Sequence, residues 1–289
     1  MIPEKLDSSK IRKLLFLGPR GSYSDFAKDK FIDAFDLNCV STNLKSISGI
    51  IKALKDENNE DMAAVIPIEN SIEGIVRETL DNLSSLKKEG FKIIAETTLN
   101  IEHALIGFCD KKSEIKVVRS HPQALAQCKR YLQSNFADSL IEEATLSTSA
   151  AIRSLSKEEP SIAAIGSVEC ARMYDIPIVE EKINDEENNQ TRFIFLGKFL
   201  APQTGKDKTS ITFSTENKAG ALSKILTILE DYNINMSYID SRPSKKELGE
   251  YVFYIDFEGH INDEKVQKAF EEIKPLVKMF YVIGSYHTV

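Results

Sequence analysis

Leu14-Leu15-Phe16-Leu17-Gly18-Pro19-Arg20-Gly21-Ser22-Tyr23-Ser24 is a short apolar strand that stops in a polar turn, and Phe26, Ala27, Lys30 and Phe31 beyond it continue as a helix. The rest of the first two-thirds repeats that event. Ala63 to Ile68 runs into Glu69-Asn70-Ser71-Ile72-Glu73-Gly74, ahead of a helix from Val76 to Leu86. Lys116 to Val118 runs into Ser120-His121-Pro122-Gln123, where Ser120 or His121 caps a helix and Pro122 suits its first turn. Ala144 to Leu146 leads to Ser147-Thr148-Ser149 and an alanine-rich helix, and Ala163 to Ile165 leads to Gly166-Ser167 and another. Strands alternating with helices predict a largely parallel, doubly wound α/β layer structure.

In open parallel sheets ligands bind beyond the carboxyl ends of the strands, where these serine, threonine and asparagine turns fall. Helix N-termini there present unpaired N–H groups, each worth about 0.3–1 kcal/mol toward an anion. Asn188-Asn189-Gln190-Thr191-Arg192-Phe193 adds the chemistry, at the point where an acidic run (Asp185, Glu186, Glu187) gives way to the apolar strand Phe193 to Leu196. A guanidinium is a fork of donors that fits a carboxylate, and a hydroxyl one residue earlier can share the bound anion. The expectation is a pocket for a small polyanion; the alternative is that Arg192 pairs with a neighbouring acid.

Other chemistries are excluded by what the motifs lack. The Gly18 to Ser22 turn has neither the lysine of a P-loop nor the G-x-G-x-x-G order, no histidines and cysteines have ligand spacing, and there is no G-x-S-x-G elbow. No cofactor and no metal are expected. A net charge of −7 argues against a nucleic-acid surface, and no stretch approaches the roughly 20 apolar residues of a membrane span. Met1 to Lys13 carries charges where an export signal needs an apolar run, and Cys39, Cys109, Cys128 and Cys170 read as reduced core thiols, so a cytoplasmic protein is expected.

At ~150 residues per domain, a chain of 289 residues holds two. The boundary follows Gly197, because Lys198 to Lys208 carries Pro202, Gly205 and little periodic apolar content. Beyond it the rhythm is strand (Thr209 to Ser214), helix (Ala221 to Tyr232), strand (Met236 to Asp240), strand (Tyr251 to Phe257), helix (Glu264 to Val277) and strand (Met279 to Ser285). That order is βαββαβ, the ferredoxin-like arrangement. Leu222, Ile225, Leu226 and Leu229 form the core-facing stripe of its first helix. Such a domain leaves a sheet face and an edge strand to cover, which favours pairing with a second copy.

Gly18-Pro19-x-Gly21-Ser22-Tyr23-Ser24, Pro67-Ile68-Glu69-Asn70-Ser71, Thr79-Leu80-Asp81, Ser120-His121-Pro122-Gln123-Ala124-Leu125 and Thr191-Arg192-Phe193, in that order, resemble the motifs of prephenate dehydratase. Gly220-Ala221-Leu222 and Asp240-Ser241-Arg242-Pro243 resemble the phenylalanine-binding ACT domain that the family carries. The resemblance implies a two-lobed, periplasmic-binding-protein-like catalytic domain over residues 11–198, with lobe 1 about 11–99 and 180–198 and lobe 2 about 100–179. A ferredoxin-like βαββαβ ACT domain over 208–287 follows. The chain departs from the family where Gly-Thr-Phe-Ser becomes Gly21-Ser22-Tyr23-Ser24, which adds a phenol near the pocket, and where Glu-Ser-Arg-Pro becomes Asp240-Ser241-Arg242-Pro243, which shortens a carboxylate.

The implied reaction is the loss of carbon dioxide and the ring hydroxyl from prephenate, giving phenylpyruvate, with aromatisation as the driving force. By the resemblance Thr191 meets the leaving hydroxyl, as proton donor or orienting group. Arg192 would clamp the carboxylate that survives, and Ser22, Asn70, Ser71, Ser120, Gln123, Thr148 and Phe193 would complete the substrate site. A charge on the departing carboxylate would slow its loss. L-Phenylalanine as effector would meet Asn217, Ala219, Gly220, Ala221, Leu222, Asp240 and Ser241, in a homodimer or homotetramer built through the ACT domains. An arogenate dehydratase, or a non-catalytic sensor of a small acid and an amino acid, shares this architecture.

Overall fold

The computed structural model describes residues 10–56, 60–244 and 250–289. Lobe 1 is built on β1 (Lys13–Leu17), β2 (Val40–Leu44), β3 (Met62–Asn70), β5 (Lys92–Asn100) and β11 (Gln190–Gly197), with α1 (Tyr23–Phe35), α2 (Ile47–Lys55) and α3 (Arg77–Leu83) packed on them and a two-residue β4 (Gly74–Ile75) beside β3. Lobe 2 is a five-stranded sheet, β10-β6-β9-β7-β8, of β6 (Ala104–Gly107), β7 (Val117–Ser120), β8 (Ile141–Ala144), β9 (Ile162–Gly166) and β10 (Ile178–Glu180). Its helices are α4 (Pro122–Gln127), α5 (Lys129–Asn135), α6 (Thr148–Arg153) and α7 (Val168–Met173).

The local signals of the sequence act where they stand. Ser22, Ser147 and Ser167 accept bonds from the N–H groups of Asp25, Ala150 and Cys170 and so cap α1, α6 and α7. His121, rather than Ser120, caps α4, with Pro122 at its start. The strand expected at Ala144 to Leu146 instead ends at Ala144, because Thr145 to Ser147 turns into α6. The main sheet of each lobe is parallel apart from one full-length strand. β11 runs against β3 and β5, and β6 runs against β9 and β10. These are the two strands that enter from the other lobe, and arriving at the cleft end reverses their direction.

Residues beyond Gly197 form β12 (Asp207–Ser214), α8 (Ala221–Asp231), β13 (Met236–Pro243), β14 (Tyr251–Glu258), α9 (Glu264–Ile273) and β15 (Met279–Thr288). The first helix buries Ile225 and Leu229 as the stripe predicts, with Ile228 added and Leu222 and Leu226 half-buried against the same core. Part of the surface expected to face a second copy is covered within the chain. β15 runs to Thr288 and pairs in parallel with β5, so the small domain's sheet continues that of lobe 1 in the order β13-β14-β12-β15-β5-β11-β3-β1-β2. One sheet face takes α8 and α9 through Ile211, Phe213, Ile255 and Phe257. The other packs Tyr254, Ile283 and Tyr286 into the core of lobe 1. The chain itself therefore covers one edge and one face, and β13 is left at the free edge. Among the described residues no helix is long and apolar enough to cross a membrane, and the four cysteines are free thiols.

Candidate active site

The chain crosses between the lobes twice, from Asn100 to Ala104 and from Glu180 to Gln190, and the crossings are tied together. Ile101 N–H donates to the Asn189 carbonyl at 2.7 Å, and the Asn184 amide bridges the Ile101 carbonyl and the His103 N–H. A cleft of about 570 Å³ opens beside them. Its far side is closed by the first turn of the chain, where Gly21, at φ +78°, sits so close to lobe 2 that a Cβ would lie 2.8 Å from the Cys170 sulfur. The Tyr23 hydroxyl donates to the Glu102 carbonyl at 2.5 Å, and burial holds its pKa above the ordinary tyrosine range.

Of the residues expected at the substrate site, Thr191, Asn70, Ser22, Gln123, Thr148 and Phe193 all line this cleft. Asn70 is fixed by its neighbours, since its Oδ1 accepts the N–H groups of Ile72 and Glu73 at 3.0 and 2.9 Å. Its Nδ2 must then be the donor, its two hydrogens shared among Thr191 Oγ1 at 2.9 Å, Asn189 Oδ1 at 2.8 Å and the Gln190 carbonyl at 3.1 Å. Thr191 accepts with its oxygen, which leaves its hydrogen for the cleft. Ser22 spends its hydroxyl on the Leu17 carbonyl and the helix cap, so its contribution is to hold the turn.

Three expected residues lie elsewhere. Arg192 follows Thr191 on an extended strand and so projects from the opposite face. Its guanidinium meets Glu69 at 3.1 Å, Glu96 at 3.0 Å and Asp256 of β14 at 2.9 Å, in a cluster largely withdrawn from solvent. The alternative, a paired arginine, is the arrangement found, and a carboxylate clamp at Arg192 is corrected. Ser120 is wholly buried and donates to the Ile165 carbonyl, joining β7 to β9. Ser71 is exposed and staples the 188–190 segment, donating to the Asn188 carbonyl and accepting the Gln190 N–H. In exchange the cleft gains His103 and Gln127 on its wall, and Tyr23 brings its phenol there as expected. Behind it Asn189 donates to Gln127 Oε1 at 3.1 Å, and Gln127 Oε1 also meets His103 Nε2 at 3.0 Å. Their partners are too distant in sequence for any local spacing to reveal.

In the small domain Gly220 (φ +79°) starts α8, with Asn217, Ala219, Ala221 and Leu222 around the same turn. Asp240 bonds Arg242 at 2.9 Å and accepts from Tyr238 at 3.2 Å, its companions on the sheet face toward lobe 1, where Arg242 approaches Asp81. Ser241 is exposed on the opposite face of β13. Within one chain, therefore, Asp240 and the Gly220 turn are on opposite faces of the sheet, which corrects the expectation that they meet. The reason is again the alternation along a strand.

A cleft without lysine or arginine among its described lining residues, set between two α/β lobes joined to a ferredoxin-like module that extends one lobe's sheet, defines a class: a two-lobed small-molecule-binding α/β protein with an appended ferredoxin-like domain. The prephenate dehydratase family model matches residues 14–199, and the ACT domain model matches residues 209–275. The chain belongs to the prephenate dehydratase family. It is 40% identical to the prephenate dehydratase of Methanocaldococcus jannaschii over 95% of this chain and 98% of the relative. Among solved structures it is similar to prephenate dehydratase from Arthrobacter aurescens in complex with L-Phe (TM-score 0.81, 29% identity, 95% of this chain and 89% of that one). It is also similar to that from Staphylococcus aureus subsp. aureus Mu50 (TM-score 0.80, 25% identity, 96% and 100%).

Proposed function

We propose that the chain converts prephenate to phenylpyruvate in this cleft, and that Thr191 supplies the hydrogen that meets the departing ring hydroxyl. One observation carries the assignment: Asn70 donates to Thr191 Oγ1, so the threonine hydrogen is directed to the substrate, in a site where Phe193 and Ile101 offer apolar walls to the ring. Gln123 and Thr148 stand ready as neutral donors. Neutral donors bind a carboxylate without anchoring it against departure, as the decarboxylation requires. Turnover of prephenate and of arogenate by the full-length chain, followed as phenylpyruvate and as phenylalanine, tests the reading. Absence of turnover with both would leave the cleft a sensor.

The regulatory proposal is that L-phenylalanine binds the ACT domain and inhibits. It is supported by the match of residues 209–275 and by the L-Phe complex of the Arthrobacter relative. The Gly220 turn offers backbone N–H groups to the amino acid's carboxylate. Asp240 and Ser241 lie on the free edge strand β13, and a homodimer or homotetramer through the ACT domains would pair along that edge. The setting is the cytoplasm. Inhibition of full-length chain but not of Gly220→Val, with mass measured by light scattering, tests both parts.

A further inference from the structure

In prephenate the ring hydroxyl and the carbon that carries both carboxylate-bearing groups stand at opposite ends of the ring. A substrate whose hydroxyl meets Thr191 on lobe 1 therefore presents its carboxylates to a wall one ring-length away. Helix α4 of lobe 2 spans a distance of that order. Its last residue, Gln127, accepts from Asn189, which accepts from the same Asn70 amide that holds Thr191. Its cap, His121, lies about 9 Å back along the axis at ~1.5 Å per residue, and both residues line the cleft. The described lining residues include no lysine or arginine, so a carboxylate at that end finds its partners among hydrogen-bond donors.

The cap fixes the tautomer of His121. Its Nδ1 accepts the Gln123 N–H at 3.3 Å and so carries no hydrogen, which places the hydrogen of the neutral ring on Nε2. On this half-buried side chain Nε2 makes no hydrogen bond to a described residue. Unlike the buried Nδ1 atoms of His103 and His287, it is reached by solvent. The ring thus offers the cleft a donor, while its acceptor atom is already taken by the helix.

We propose that His121 is a substrate-binding residue: its Nε2–H donates to the carboxylate that survives the reaction. The proposal rests on reading the cleft as the prephenate site. A bond kept from substrate to product belongs on the surviving carboxylate, since one to the departing carboxylate would stabilise the ground state and slow its loss. His121 then has two duties, as cap and as donor, and substitution separates them. Serine is among the best N-caps but ends at Oγ, so His121→Ser keeps an acceptor for the Gln123 N–H and removes the donor. His121→Ala removes both.

Phenylpyruvate retains the surviving carboxylate and is not turned over, so it serves as the binding probe beside steady-state kinetics with prephenate. In full-length His121→Ser the melting temperature should stay near that of the unaltered chain. Its Kd for phenylpyruvate and KM for prephenate should both rise about tenfold or more, the loss of a hydrogen bond to a charged group, with kcat within a few-fold. His121→Ala should show the same weakening and a lower melting temperature. If serine restores binding together with stability, His121 is a cap alone and the proposal falls. A raised KM with unchanged phenylpyruvate binding overturns the assignment to the surviving carboxylate. A further measurement needs no variant to fold. In the unaltered chain labelled with 15N-histidine, one of the four rings should show the Nε2–H tautomer and shift as phenylpyruvate is added; no shifting ring overturns the proposal. Prephenate turnover by the unaltered chain with undiminished binding in His121→Ser rejects His121 alone, whereas no turnover rejects the reading of the cleft and the proposal with it.

Discussion

Thr191 and Arg192, consecutive on β11, serve opposite faces of one sheet: the threonine lines the cleft and the guanidinium lies 2.9 Å from Asp256 in the ACT domain. Asp256 in turn accepts from Ser210, whose hydroxyl meets that of Tyr286, and Glu96 binds Lys208. The strand that carries Thr191 is thus bonded directly to the ACT domain.

Arg192→Gln is expected to cost about 3–5 kcal/mol of stability, because it leaves the buried Asp256 carboxylate without its cation and strips Glu96 of one of its two. Arg192→Lys should fold with a smaller loss, as a point charge cannot serve three carboxylates at once. In the lysine variant KM for prephenate should stay within a few-fold of wild type while inhibition by phenylalanine weakens. A tenfold rise in KM with inhibition intact would return the guanidinium to the substrate. Melting curves and steady-state kinetics decide.

Thr191→Ala should lower kcat and kcat/KM together, by about 100-fold or more, with little change in melting temperature. A near-normal kcat with a raised KM would exclude a transition-state role. Asn70→Ala should impair both catalysis and folding, since it strips the acceptor from two backbone N–H groups, at about 1–3 kcal/mol.

Gly284 lies where β15 presses on β5, and an added Cβ would sit 2.7 Å from that of Ile93 and 2.8 Å from its backbone nitrogen. Backbone cannot yield as a side chain can. Gly284→Ala should therefore part the ACT strand from lobe 1, seen as faster amide exchange at residues 93–96 and 284–288 and lost phenylalanine sensitivity. Unchanged exchange would show that the junction tolerates the methyl group.

Acid should loosen the same junction. Burial pushes the Glu96 carboxyl up, but Lys208 and Arg192 outweigh it and hold the pKa below the ordinary range; burial lowers that of His287, whose strand position faces Ala95. Both folded-state values are depressed. The contribution of Glu96 is present above the unfolded carboxylate value of about 4.3 and is lost as pH falls through the folded one. His287 begins to cost stability as pH falls below about 6.5, where the unfolded chain takes the proton first. Chemical denaturation should show a first decline below pH ~6.5, absent in His287→Gln, and a steeper one below pH ~4.3, weakened in Glu96→Gln. A flat profile from pH 8 to 4 would contradict both.

The sequence by itself determined what depends on neighbours three or four residues away. Ser22 caps α1, Pro122 opens α4 behind His121, and Ile225 and Leu229 bury one stripe of α8, because capping and helical periodicity are local. The sequence reading let Thr191 and Arg192 share one anion, whereas on an extended strand neighbouring side chains alternate and the two part. Only the tertiary structure decided which side was the cleft. Arg192 is a clamp or an anchor according to what covers its face, and that depends on β14 and β15, joined to β5 by a pairing across some 190 residues. The polar chain from Thr191 to His103 likewise rests on partners 121, 119, 62 and 24 residues apart, and a hydrogen bond between groups so separated exists only once the lobes have folded around the crossings that bring them together.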